Sequence, residues 1–152
     1  MRYSNYNSSY IIILILLLVL SCNKTEDKLI LLNKQIRKIN PSLLTFDRII
    51  IIPGEGCGGC ISSATSYIIS EEIPQDLRIH TVFTNVGDYK LFRNQIGYQL
   101  NPEDYSLDSS NYLRLDKISS IYPQLIIIEK GKIIGAIDFD PIANPTLKNP
   151  LN

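Results

Sequence analysis

The run Arg48-Ile49-Ile50-Ile51-Ile52-Pro53 constrains this chain most. Four consecutive isoleucines offer no polar side to water. The segment is therefore a central strand covered on both faces, and the proline ends it. Gly54 to Gly59 follows as a glycine-rich turn that carries Cys57 and leads to Cys60. Cys60 to Glu72 then reads as a helix, with Ile61, Ala64, Ile68 and Ile69 on one side and Pro74 past its end. Leu77 to Thr84 is a second strand. Val86 to Ile96 is a second helix, with Val86, Tyr89, Phe92 and Ile96 in register and Gly97 at its end. Gly97 to Ser120 holds turns and room for one short strand. Gln124 to Glu129, the turn Lys130-Gly131, and Lys132 to Phe139 form a closing hairpin. Strand–helix–strand connections imply parallel pairing by right-handed crossover, and the hairpin adds an antiparallel part. The class is α/β, a mixed sheet flanked by helices.

The segment before this unit has a different character. Met1 to Tyr10 is polar with Arg2 as its one basic side chain, and Ile11 to Leu20 is an unbroken apolar run. A bilayer-spanning helix needs about 20 apolar residues, whereas this run suits the core of a secretory signal. Val19-Leu20-Ser21-Cys22 follows directly and resembles a bacterial lipobox. That resemblance implies cleavage before Cys22 and acylation of Cys22, with more than one acyl chain giving stable membrane attachment. Asn23 to Lys28 suits a tether. Leu29, Leu32, Ile36, Ile39 and Leu43 then make one helical stripe that Pro41 should interrupt near Ile39 or Asn40, a stalk helix packing on the domain it carries. The expected organisation is a signal peptide over 1–21, a tether and stalk helix over 22–42, a domain over 43–140 and an extended tail over 141–152.

Removal of the first 21 of 152 residues leaves 131, enough for one ordinary core. Lys plus Arg and Asp plus Glu number 15 each, so no basic excess points to nucleic acid. The single histidine, His80, excludes chemistry that needs two. With Cys22 assigned to lipid, Cys57 and Cys60 are the two remaining cysteines of the chain.

At a spacing of three residues in the first turn of a helix, two sulfurs reach disulfide distance. Cys57 sits where free N–H groups and the helix dipole favour a thiolate, and the thiolate is the nucleophile. Cys57 is therefore expected to be the more exposed and more acidic thiol. Three other readings stay open. A structural bridge would be weak, since a four-residue ring contributes only about 2 kcal/mol in the loop-entropy account against about 3 for fifteen residues. A metal site would need further ligands, with copper(I) on two thiolates the simplest case. An inert pair is the third. His80, on the second strand, is expected to be a surface or hydrogen-bonded strand histidine.

The strand before C-x-x-C, the motif, the helix running from it, and Pro123 opening the pattern Pro123, QLIIIE, Gly131-Lys132 together resemble the thioredoxin-like superfamily over residues 43 to 139. With the lipobox, the likeness is to membrane-attached thiol–disulfide proteins of the bacterial envelope. The resemblance implies that Cys57 exchanges with a partner thiol or disulfide and Cys60 resolves the mixed disulfide. It also implies that Tyr122 and Pro123 hold the partner strand across a cis Tyr122–Pro123 bond. No organic cofactor and no metal are implied, and the partners are envelope proteins. The chain departs from the usual pattern in having Gly56 where a tryptophan is common, Gly59 where a proline is common, and no acid within Ile49 to Ile52. The rival readings are a non-catalytic binding lipoprotein on the same scaffold and a copper(I) carrier.

Overall fold

A computed structural model describes residues 26–70, 76–114, 118 and 120–141. The leader, Cys22 and the stretch 142–152 lie outside the described residues.

Helix α1 covers residues 26–39, and the chain then makes a 3-10 turn over Pro41–Thr45. Asn40 ends one and starts the other: its N–H donates to the Ile36 carbonyl at 3.0 Å, and its side chain accepts from the Ser42 N–H. The later elements are β1 (Arg48–Pro53), α2 (Gly58–Ile69), β2 (Ile79–Thr84), α3 (Tyr89–Phe92), β3 (Tyr105–Asp108), β4 (Gln124–Glu129) and β5 (Lys132–Asp138). The strands form one sheet in the order β3-β2-β1-β4-β5. β1 and β2 pair parallel from Arg48 opposite Ile79 to Pro53 opposite Thr84, and β3 pairs parallel with β2. β4 runs antiparallel to β1 and to β5. This is the mixed α/β architecture expected, and it is compatible with a thioredoxin-like fold.

Alternation along β1 explains the layers. Ile49 and Ile51 face a cluster with Leu32 and Ile36 of α1, Leu43, Val82 and Ile126. Ile50 and Ile52 face the opposite cluster with Ala64 and Ile68 of α2, Phe83, Phe92 and Leu125. Successive side chains of a strand point to opposite faces, so the isoleucine run serves both cores at once. Each such burial contributes roughly 1.5–3 kcal/mol before entropy is counted. The stripe read in the sequence as a stalk packs as expected: Leu32, Ile36 and Leu43 are buried, with Leu29 and Ile39 against them.

Two elements differ from the sequence reading. The second helix is short. Asp88 caps it by accepting from the Lys90 and Leu91 N–H groups, and after Phe92 it widens into a π turn over Arg93–Gly97. Phe92 docks edge-on against Phe83 with ring centroids 4.7 Å apart. The undecided stretch after Gly97 supplies the third parallel strand, β3, at the sheet edge. The Tyr122–Pro123 bond is trans, since the described residues contain no cis peptide. The expectation of a cis bond is thereby corrected. In the trans form the Pro123 carbonyl accepts from the Phe139 N–H at 2.7 Å, extending the pairing of β4 with β5 by one residue.

Candidate functional site

The parallel strands β1 and β2 end together, at Pro53 and Thr84, and the site is built on that end of the sheet. The Gly54 N–H donates to the Thr84 carbonyl at 2.8 Å, which binds the turn after β1 to the turn after β2. A Cβ on Gly54 would sit on the Asn85 carbonyl, so only glycine allows this approach. Asn85 itself takes a left-handed conformation (φ 55°). Its N–H donates to Asn111 Oδ1 at 3.2 Å, and its side-chain amide donates to Glu55 Oε2 at 3.1 Å. Behind Asn111 lies Asp108, only 2% exposed. Its carboxylate accepts from Thr84 Oγ1 at 2.9 Å and from the N–H groups of Tyr112 and Leu113 at 2.9 and 2.8 Å. Buried charge is tolerated when it is hydrogen-bonded in this way. The turns after β1, β2 and β3 are thus one connected scaffold.

Cys57 is the N-cap of α2, and no acidic residue lies in the first turn of that helix to oppose a thiolate there. Cys57 and Cys60 are at disulfide distance, with Cα atoms 5.3 Å apart. Both are half-buried in the bonded pair. Gly58 and Gly59 are exposed, and nothing lies within 4 Å of where their Cβ atoms would be.

The segment before β4 closes the site from the other side. The Cys57 N–H donates to the Ile121 carbonyl at 2.9 Å. Gly56 has φ 142°, and a Cβ there would meet the Ile121 backbone. The position where a tryptophan is usual therefore has a steric reason to be glycine in this chain. Ile121 and Tyr122 are 59% and 43% exposed despite their size. Tyr122 also lines a groove of about 400 Å³ with Gly59, Cys60 and Ser63. Pro123 is buried behind them. The structure thus brings Cys57, Cys60 and Tyr122 together, while the backbone contact to the motif comes from Ile121, two residues before the proline. No family model, curated protein or solved structure matches the chain.

His80 is elsewhere. It pairs with Ile49 near the start of the sheet, four residues before Thr84. At about 3.3 Å per residue that is on the order of 13 Å from the end where the cysteines lie. Its Nε2 is 2.8 Å from Ser106 Oγ, and its ring packs on Phe46 with centroids 4.8 Å apart. Burial pushes its pKa down, opposed by the Asp104 charge and the Glu103 main chain. The geometry therefore does not bring His80 to the sulfurs, as a two-cysteine, one-histidine copper site would require. Among the described residues, no group of three His, Cys, Asp or Glu side chains converges as metal ligands.

Sequence reasoning missed Ile121, Asn85, Asn111 and Asp108. Asn85 and Asn111 carried a weak signal, since asparagine tolerates left-handed backbone better than most residues. Ile121 acts through its carbonyl, which no side-chain pattern reveals.

Proposed function

We propose that this chain is a thioredoxin-like thiol–disulfide exchange protein, held by a lipid on Cys22 at the bacterial cell envelope and acting on protein thiols or disulfides there. The observation that carries the reading is the Cys57–Cys60 pair at disulfide distance, at the start of α2, half exposed beside a groove. The envelope attachment rests on the Val19-Leu20-Ser21-Cys22 sequence and the apolar run before it. No described helix is long and apolar enough to cross a membrane.

In the oxidised form a partner thiolate attacks Cys57 Sγ, the Cys57–Cys60 bond breaks, and Cys60 leaves as a thiolate. A second partner thiolate attacks the partner sulfur of the mixed disulfide and releases Cys57. The partner dithiol has then lost two electrons to the protein pair, and its two protons end on Cys57 and Cys60. The reverse sequence reduces a partner disulfide. During the mixed-disulfide stage the helix N-terminus stabilises whichever thiolate is formed there. The exposed Ile121–Tyr122 segment, backed by the buried Pro123, supplies the surface over which the partner chain runs.

The test is trapping. Changing Cys60 to Ser removes the resolving thiol, so mixed disulfides through Cys57 should accumulate in envelope extracts and disappear on reduction. Changing Cys57 to Ser should trap far fewer. Equal trapping by the two variants would overturn the assigned roles. No trapping, with a bridge that resists mild reductants, would leave a binding protein with a structural disulfide. Mass spectrometry of the mature amino terminus tests the acylation of Cys22 separately.

A further inference from the structure

The charge of this chain is divided along its length. Residues 23–39 carry five Lys or Arg against two acids, whereas residues 40–152 carry nine against thirteen. A chain balanced overall is therefore basic in the segment next to Cys22 and acidic beyond it. α1 brings part of that basic charge to a groove of about 630 Å³ between itself and the start of β5. Lys34 and Arg37 line the groove from the helix and Lys132 lines it from the strand, and all three are exposed. Arg37 Nε donates to Asn33 Oδ1 at 2.9 Å, which holds the guanidinium beside the groove that both residues line. Glu26, in the first turn of α1, also lines it. Apolar surface lies among these charges, for Ile30 of the same lining is 62% exposed.

We infer that this face of α1 and β5 rests on an anionic phospholipid surface, that of the membrane to which Cys22 is attached. The inference goes beyond thiol–disulfide exchange and rests on the acylation of Cys22 proposed above. Chain length is the first argument for this occupant. Four residue steps separate Cys22 from Glu26, at most about 14 Å of extended chain, so an acylated Cys22 keeps the groove close to the bilayer. Chemistry is the second. Lysine and arginine attract lipid phosphates, and an exposed isoleucine between them can enter the headgroup boundary. The C-terminal segment 142–152 has one lysine and no acid in its sequence, so its side chains are no charge match for the groove. Each basic side chain near an anionic surface strengthens attachment about five-fold, and the attraction fades over a Debye length of about 8 Å at physiological salt. The acidic remainder of the chain favours the same orientation, because the surface repels it.

The chain contains no tryptophan, so a single introduced one reports its own surroundings. Ile30→Trp puts the probe in the groove. Tyr98→Trp is the control: Tyr98 is 75% exposed, and its neighbour Gly97 lies against Tyr105 of β3, the sheet edge opposite β5. Each full-length chain is expressed in bacteria, and the acylated mature protein is purified from the membrane and added to preformed vesicles. These are phosphatidylcholine with brominated acyl chains, with or without phosphatidylglycerol. With phosphatidylglycerol, bromine should quench Ile30→Trp much more than Tyr98→Trp. Adding Lys34→Gln, Arg37→Gln and Lys132→Gln to Ile30→Trp should lower the docked-to-undocked ratio read from the quenching by on the order of ten-fold or more. Omitting phosphatidylglycerol or raising the salt should lower it as well. Equal quenching of the two probes would overturn the inference while leaving acylation intact. So would quenching of Ile30→Trp that ignores both lipid charge and the three glutamines. A blue-shifted Ile30→Trp emission that bromine does not quench would mean that protein, from this chain or a second copy, covers the groove, and would overturn it too. Mass spectrometry that finds no acyl group on the purified protein would instead overturn the Cys22 reading on which the inference stands.

Discussion

Replacing Gly56 by alanine tests the site architecture most directly. Gly56 holds φ 142°, and the Ile121 carbonyl, carbonyl carbon and Cα crowd the place a Cβ would take. Two costs follow. An L side chain in this region of backbone space costs on the order of 1–2 kcal/mol. Moving Ile121 away also breaks the hydrogen bond from the Cys57 N–H, worth about 1 kcal/mol net. The expected destabilisation is about 2–3 kcal/mol, which for a domain of this size lowers Tm by roughly 10 °C. Gly58→Ala and Gly59→Ala are the controls. Both lie in α2 with open space at the Cβ, so alanine should leave Tm unchanged or raise it slightly. Thermal unfolding of the oxidised proteins, followed by circular dichroism, reads all three. A Gly56→Ala protein that melts within a degree or two of Gly58→Ala would refute the claim that the Ile121 backbone is locked against the cysteine turn.

Other outcomes follow from the same geometry. Because burial lowers the His80 pKa in the folded state, the unfolded chain takes up the proton first as pH falls. The His80 contribution is therefore complete above the ordinary histidine value of about 6.5 and is lost as pH drops below it. Urea midpoints between pH 7.5 and 5 should decline more steeply for the native chain than for His80→Gln, and parallel slopes would contradict the assignment. Asp108→Ala removes the acceptor for Thr84 Oγ1 and two N–H groups in a buried setting. It should cost about 3 kcal/mol or more in denaturant unfolding, while a loss under 1 kcal/mol would show that the turns after β2 and β3 do not depend on it.

Branched aliphatic residues made most of the sheet legible in the sequence. β1 spans Arg48–Pro53 and β4 spans Gln124–Glu129, the limits expected from RIIIIP and QLIIIE. β3 was harder because Tyr-Ser-Leu-Asp at a sheet edge has no such signature. Val86, Tyr89, Phe92 and Ile96 keep helical spacing, so the sequence predicts a longer second helix than the backbone forms before it widens after Phe92. The cysteine pair was legible, and so was the approach of the segment around Pro123. The trans bond and the Ile121 contact were not, because both depend on how two distant turns meet. Cys22 and the lipobox lie outside the described residues.

The position of β1 sets how motions are distributed. It lies between β2 and β4, has helices on both faces, and is buried over five of its six residues. Its amides should exchange with solvent only through the rarest, most global openings, whereas the turn it feeds is exposed from Gly54 to Gly56. Release of the Ile121 contact would free that turn on a faster timescale without disturbing the strand behind it. The bridge between Cys57 and Cys60 closes only a short ring, so breaking it adds little to the freedom of the unfolded chain. Opening of the sulfur-bearing turn and opening of the sheet should therefore be separate events, with the sulfurs uncovered while the domain stays folded.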